Sequence, residues 1–213
     1  KKPRIRKRES GNALFFILIA VILFAALSYT VSGMMRDASS DRIGEERSKL
    51  LATDILNYAR TMRQAVQGMK ISNGCSNNDI RFVHTLTTGY GTSVRSACDV
   101  FNSAGGDVTY IAPVADLSAS TEWTFNAGNI VSGVGSAEPD LVMMLQDINI
   151  SVCDAINEVS GITALGTDSA IDFTKFTGTY AATETIDSAA GEMFGCLNFN
   201  DSGTSRLFFY QIG

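Results

Sequence analysis

Asn12-Ala13-Leu14-Phe15-Phe16-Ile17-Leu18-Ile19-Ala20-Val21-Ile22-Leu23-Phe24-Ala25-Ala26-Leu27-Ser28-Tyr29-Thr30-Val31-Ser32 runs without a charge, a glycine or a proline. As an α-helix the stretch reaches about 30 Å, the thickness of a bilayer's hydrocarbon core, and it is longer than a signal-peptide core or a buried soluble helix needs. Tyr29 falls near one end, where an amphipathic ring suits the membrane interface. These features predict a transmembrane helix over residues 12–33.

The residues ahead of it set its orientation. Lys1, Lys2, Arg4, Arg6, Lys7 and Arg8 stand against Glu9 alone, so the leader over residues 1–11 carries +5. With the whole chain at −5, the residues after Gly11 carry −10. A basic flank stays on the cytoplasmic side, which predicts a single pass of the inner membrane with the N-terminus inside and the acidic bulk exported.

That bulk has room for one globular domain. Beyond Met69 the only cations are Lys70, Arg81, Arg95, Lys175 and Arg206, against sixteen Asp and Glu. A nucleic-acid partner is excluded on this reading, because phosphate binding needs a basic face. Cys75, Cys98, Cys153 and Cys196 all lie on the exported side, and an even count there reads as two disulfides. Of three possible connectivities, Cys75 to Cys98 with Cys153 to Cys196 is the one with neither nested nor interleaved loops, and it is preferred. A zinc site is the competing use of four cysteines, but there is no Cys-x-x-Cys pair and His84 is the single histidine.

Between Gly33 and Gly44 the chain turns polar, which predicts a helix break or hinge at the membrane surface. From Glu45 to Lys70, Leu51, Ile55, Tyr58, Met62, Val66 and Met69 recur at spacings of four, three, four, four and three, one face of an amphipathic helix. Lys49, Thr53, Arg60, Gln64 and Gln67 lie opposite. The domains are thus a leader over 1–11, the membrane helix over 12–33, a hinge and amphipathic helix over 34–70, and a head over 71–213.

The head has the punctuation of an antiparallel sheet. Ile80 to Leu86, Asp107 to Ala112, Trp123 to Phe125, Asn129 to Val131 and Leu141 to Ile148 read as strands, with turns at Gly105-Gly106 and Gly128. Ser151 and Asp154 suggest a capped helix that runs to Gly161. Residues 163–191 read as a long surface excursion, and Met193 to Phe199 with Ser205 to Ile212 as a hairpin around Asn200-Asp201-Ser202-Gly203.

A basic leader, one apolar N-terminal helix, an amphipathic continuation and a disulfide-bonded head together resemble the type IV pilin and pseudopilin superfamily. Glu9-Ser10-Gly11 followed by Asn12-Ala13-Leu14-Phe15-Phe16 is similar to a prepilin leader that ends in glycine. The likeness is greatest to a group of alphaproteobacterial pilin-like proteins, through the stretch from Gly11 to Tyr29, Ile71 to Ser76, Cys98 to Phe101 with Gly105-Gly106, Ile148 to Asn157, Gly195-Cys196, and Phe209 to Gln211. The resemblance implies an α+β pilin-like fold and cleavage between Gly11 and Asn12 by a prepilin peptidase. It also implies assembly through Leu14, Phe15, Phe16, Ile17, Leu18, Phe24 and Leu27, with other pilin-like subunits or further copies of this chain as partners. The chain departs from the family at the fifth mature position, where Phe16 stands in place of the usual glutamate, and it lacks the helix-loosening Gly and Pro of the span. The departure implies a minor, tip-like or permanently anchored subunit.

Catalytic chemistry finds little to work with. One histidine leaves no Ser-His-Asp or Cys-His arrangement beyond His84, which reads as structural or surface. Gly133-Val134-Gly135 is half of a dinucleotide fingerprint and reads as a loop. Asp168 with Asp172, or Asn198 with Asn200 and Asp201, offer oxygen ligands but match no calcium loop. The expectation is a non-enzymatic structural subunit with no cofactor, no metal and no catalytic residues. The competing expectation is a monomeric, signal-anchored periplasmic binding module.

Overall fold

The computed structural model describes residues 11–187, 191–199 and 205–213; of residues 11–14 and 30–43 it describes the backbone alone. The chain forms two compact units that divide between Glu46 and Arg47.

In the first unit, α1 (Gly11–Ser72) begins. Phe15, Phe16, Ile17, Leu18, Phe24 and Leu27 all stand at least 60% exposed along it. Among the described residues no helix is long and apolar enough to cross a membrane. The predicted span of residues 12–33 is therefore not found in that form. Of that span the side chains of residues 12–14 and 30–33 lie outside the described residues, as does the whole of residues 1–10. The break expected between Gly33 and Gly44 is a correction, since α1 is helical throughout that range. Each glycine lowers helix stability by only about 1 kcal/mol and no proline interrupts the ladder.

The second unit is an α+β head built on the last part of α1. Ala52, Ile55, Leu56, Tyr58, Ala59, Met62, Val66 and Met69 are buried, whereas Thr53, Arg60, Gln64 and Gln67 are exposed, as the 3.6-residue period requires. The helix ends where the Asn73 and Cys75 N–H groups both turn back to the Met69 carbonyl, at 3.1 and 3.2 Å. Gly74 permits this at φ +61°, a left-handed position that suits glycine.

Among the described residues one five-stranded sheet forms, from β1 (Thr124–Val131), β2 (Asp140–Gln146), β3 (Glu184–Ile186), β4 (Phe194–Asn198) and β5 (Arg206–Gln211). The spatial order is β3-β1-β2-β5-β4. Three pairings are antiparallel, but β3 runs parallel to β1, with Ile130 opposite Thr185. The sheet is thus mixed, which corrects the wholly antiparallel expectation. The reason is that the predicted surface excursion also packs on the sheet: Ile171, Phe173 and Phe176 lie against it, and Glu184–Ile186 then pair alongside β1.

That packing explains why the strands are buried on both faces. Leu141, Met143, Leu145, Phe208 and Tyr210 pack with α1 and with α2 (Ile150–Ser160), while Val142, Met144, Leu207 and Phe209 turn to the other side, where Ile171 and Phe173 cover them. Two predicted strands are corrected. Ile80 to Leu86 makes only an isolated bridge between Arg81 and Asp99, and Asp107 to Ala112 is irregular. Conversely, the two short strands predicted over Trp123 to Phe125 and Asn129 to Val131 merge into one, β1, which begins at Thr124 and whose register slips between Asn126 and Asn129. Gly128 sits in that bulge rather than in a turn, and only glycine fits there, since a Cβ would run into the Asp172 carboxylate.

Helix α2 is capped two residues earlier than the Ser151 and Asp154 pattern suggested. Asn149 is its N-cap, accepting from the Ser151 N–H at 3.2 Å, and Gly161 closes it at φ +81°. Cys75 is bonded to Cys98 and Cys153 to Cys196, with Cα atoms 5.8 and 5.4 Å apart. The hairpin strands β4 and β5 pair as predicted, whereas their loop, Asn200 to Gly203, lies outside the described residues.

Candidate functional site

A groove of about 570 Å³ opens on the head between α1 and the segment that follows Asp107. Its helical wall is Leu51, Ile55 and Tyr58, part of the same apolar stripe that buries α1. The other wall is Ile111 to Val114, and Trp123, just ahead of β1, closes the floor. Pro113 stops this segment from pairing as a strand, since its missing N–H removes a ladder bond. Five consecutive apolar residues, Tyr110 to Val114, then have to sort themselves without a sheet. Tyr110 turns in and is buried, whereas Ile111 and Val114 are left 56% and 52% exposed.

The two walls are hydrogen-bonded into a fixed shape. The Ile111 N–H donates to the Tyr58 hydroxyl at 3.1 Å, and the Trp123 Nε1–H donates to the Ile111 carbonyl at 2.7 Å. The rings of Tyr58 and Trp123 lie 5.6 Å apart. Burial pushes the Tyr58 hydroxyl well above the ordinary tyrosine range, against the opposing pull of the Ile111 N–H. It therefore stays protonated at neutral pH and offers no base. Asp54, Asn57, Thr61, Asp107 and Thr109 form the polar rim, and no lining residue is cationic. Asp116, which precedes the lining residue Leu117, is paired with Arg47. A cavity of this size with apolar walls and few polar groups suits an apolar side chain or small molecule.

A second polar cluster is structural. Asn126 Nδ2 donates to the Asp172 carboxylate at 3.1 Å and to the Thr174 carbonyl at 2.7 Å, and Asn129 Nδ2 donates to Asn126 Oδ1 at 2.6 Å. Burial acts to raise the Asp172 acid, but donors from Thr174, Asn126 and Thr183 outweigh it and hold the group below the usual carboxylate range. Its oxygens are thus engaged with the β1 bulge, and Asp168 is tied instead to β4, its N–H donating to the Asn198 carbonyl at 2.8 Å. Among the described residues no group of three or more His, Cys, Asp or Glu is placed to hold a metal. His84 is half-buried in a turn, its Nδ1 accepting from the Leu86 N–H at 3.1 Å and its ring stacked 4.9 Å from Tyr110.

The structure brings the four cysteines together in their pairs and leaves Phe15 to Leu27 exposed on the other unit. Gly11 opens α1, and the leader ahead of it lies outside the described residues. Sequence reasoning missed the groove. The available signal was Pro113 inside the apolar run from Tyr110 to Val114, because a proline in such a run argues against a paired strand. No family model, curated protein or solved structure matches the chain.

Proposed function

We propose that the chain is a membrane-anchored, non-enzymatic, pilin-like structural subunit of an extracytoplasmic filament or secretion apparatus. Residues 12–33 cross the inner membrane with the leader in the cytoplasm, and the head stands in the periplasm or on a filament. The observation that carries this reading is the row of large apolar side chains from Phe15 to Leu27, which is exposed on consecutive helical turns behind a strongly basic leader. A patch of that size calls for lipid or for neighbouring helices. Two buried disulfides support export to an oxidising compartment. Prepilin peptidase is the proposed processing enzyme, acting between Gly11 and Asn12.

Intact mass of the protein from its native membrane tests the route. A chain that begins at Asn12 is expected, and a chain that keeps the leader would argue for permanent anchorage. A second reading, a monomeric signal-anchored binding module, draws on the preformed apolar groove beside Tyr58. Self-association of the full chain in detergent, measured by analytical ultracentrifugation, separates the two: the filament subunit associates and the binding module does not.

A further inference from the structure

The groove has a counterpart on the same head. We propose that a second copy of this chain docks there, seating its Ile71 and Val94 against Tyr58, Ile111 and Val114 of its neighbour; the proposal rests on the filament reading above. Ile71 and Val94 are 84% and 79% exposed, the barest large apolar side chains described from Arg47 onward. They belong to one end of the head. Arg95 donates to the Asn73 carbonyl at 3.1 Å, Asn73 donates to the Ala97 carbonyl at 2.7 Å, and the Cys75–Cys98 disulfide locks the same junction. The loop that carries Val94 is therefore held at the C-terminal end of α1, beside Ile71.

Charge selects the pairing. The groove's rim offers Asp54 and Asp107 and its lining no cation. Around Ile71 and Val94 stand Lys70 and Arg95, two of only five cations beyond Met69, with Asp79 lying 3.7 Å from Arg95 as the sole acid of that contact. A tip that carries Lys70 and Arg95 against one acid thus faces an apolar slot whose lining holds Asp54 and Asp107 and no cation, the nearby Arg47 being already paired with Asp116. Tyr58 and Ile71 are about 20 Å apart along the helix axis, at 1.5 Å per residue, so slot and tip are separate surfaces. A contact between two different surfaces is heterologous. Each copy then offers its groove to one neighbour and its tip to the next, and an open row results unless the rotation closes.

The test uses two full-length variants, Val114→Cys and Val94→Cys, each placed at an exposed position so that the fold and the native disulfides are kept, which intact mass after alkylation verifies. The two are differently tagged, mixed in detergent under mild oxidation, and sized by ultracentrifugation in parallel. The expected result is a disulfide between the two variants that exceeds self-linking of either one. Association without that mixed disulfide, or self-linking that matches it, overturns the docking and leaves the filament reading standing. Chains that stay monomeric overturn the filament reading and the docking with it.

Discussion

Asn157 shows how much one side chain can settle. Its amide stands against the edge strand β4, donating to the Cys196 carbonyl at 2.9 Å and accepting from the Cys196 N–H at 2.8 Å, and so takes the place of a missing neighbouring strand. Asn157→Ala leaves two buried backbone groups unpaired and is expected to cost about 2–4 kcal/mol in a urea titration. A change within 0.5 kcal/mol, roughly the scatter of surface substitutions, would show the edge satisfied by other means. Asp99 supplies a pH test. It is buried, and burial raises its acid above the ordinary value despite hydrogen bonds from the Phe101 N–H, the Ser93 hydroxyl and the Val83 N–H. The native state then holds this proton more tightly than the unfolded chain does. Stability from this group is thus complete below the unfolded value of about 3.9 and falls as pH rises toward the raised folded value. Asp99→Asn removes the term, so the melting temperature of the variant relative to the parent should climb across that window and level off above it. A constant difference between pH 3 and 7 would refute the assignment. Neither role was legible beforehand, since Asn157 reads as one more polar residue on an amphipathic helix and Asp99 as a turn residue beside Cys98.

At the scale of elements, the part of α1 that belongs to the head was legible because a 3.6-residue period sustained from Leu51 to Met69 leaves one solution for which face is buried. Ile55→Asp places a charge where Ile55 is 2% exposed and is expected to cost several kcal/mol, with the full chain aggregating on purification. Leu50→Asp, at a position 67% exposed, should melt like the parent. Equal effects of the two would mean that the stripe packs on nothing. The disulfides divide similarly. Their separations of 23 and 43 residues differ by only about 0.5 kcal/mol in loop entropy. The Cys153–Cys196 bridge, however, joins α2 to β4 beneath the sheet, next to the Asn157 contact. Replacing that pair with alanines should therefore lower stability more than replacing Cys75 and Cys98, and thermal melts of the two variants check the order. The strand expected over Asp107 to Ala112 failed for a local reason, Pro113, which propensity alone did not weigh. The parallel β3 failed for a distant one, because three residues with no apolar pattern of their own join the sheet only after the segment ahead of them has brought them to β1.

The whole molecule is a head that covers both faces of a mixed sheet and a separate helical unit that leaves Phe15 to Leu27 uncovered. On the proposed filament route, Phe16 occupies the position where the resemblance implies a glutamate. An intramembrane carboxylate costs about 2.5–3.5 kcal/mol on insertion scales, so Phe16 makes the helix more comfortable in lipid and withdraws an electrostatic guide to extraction. The protein is accordingly expected as a minor component of sheared surface filaments by mass spectrometry, with Phe16→Glu increasing its share. Its presence as the dominant component would overturn this. What the sequence determined by itself were the features that depend on short-range order or on count: the helical stripe from Leu51 to Met69, the Gly161 helix end, the β4–β5 hairpin and the two disulfides. Periodicity, capping and an even number of cysteines act within a few turns or by elimination, and no knowledge of the far chain is needed. Only the tertiary structure decided the parallel β3, the bulge at Gly128 against Asp172 and the groove beneath Ile111. Each depends on which distant segment arrives to cover an apolar face or satisfy a backbone group, and the sequence of either partner alone does not carry that choice.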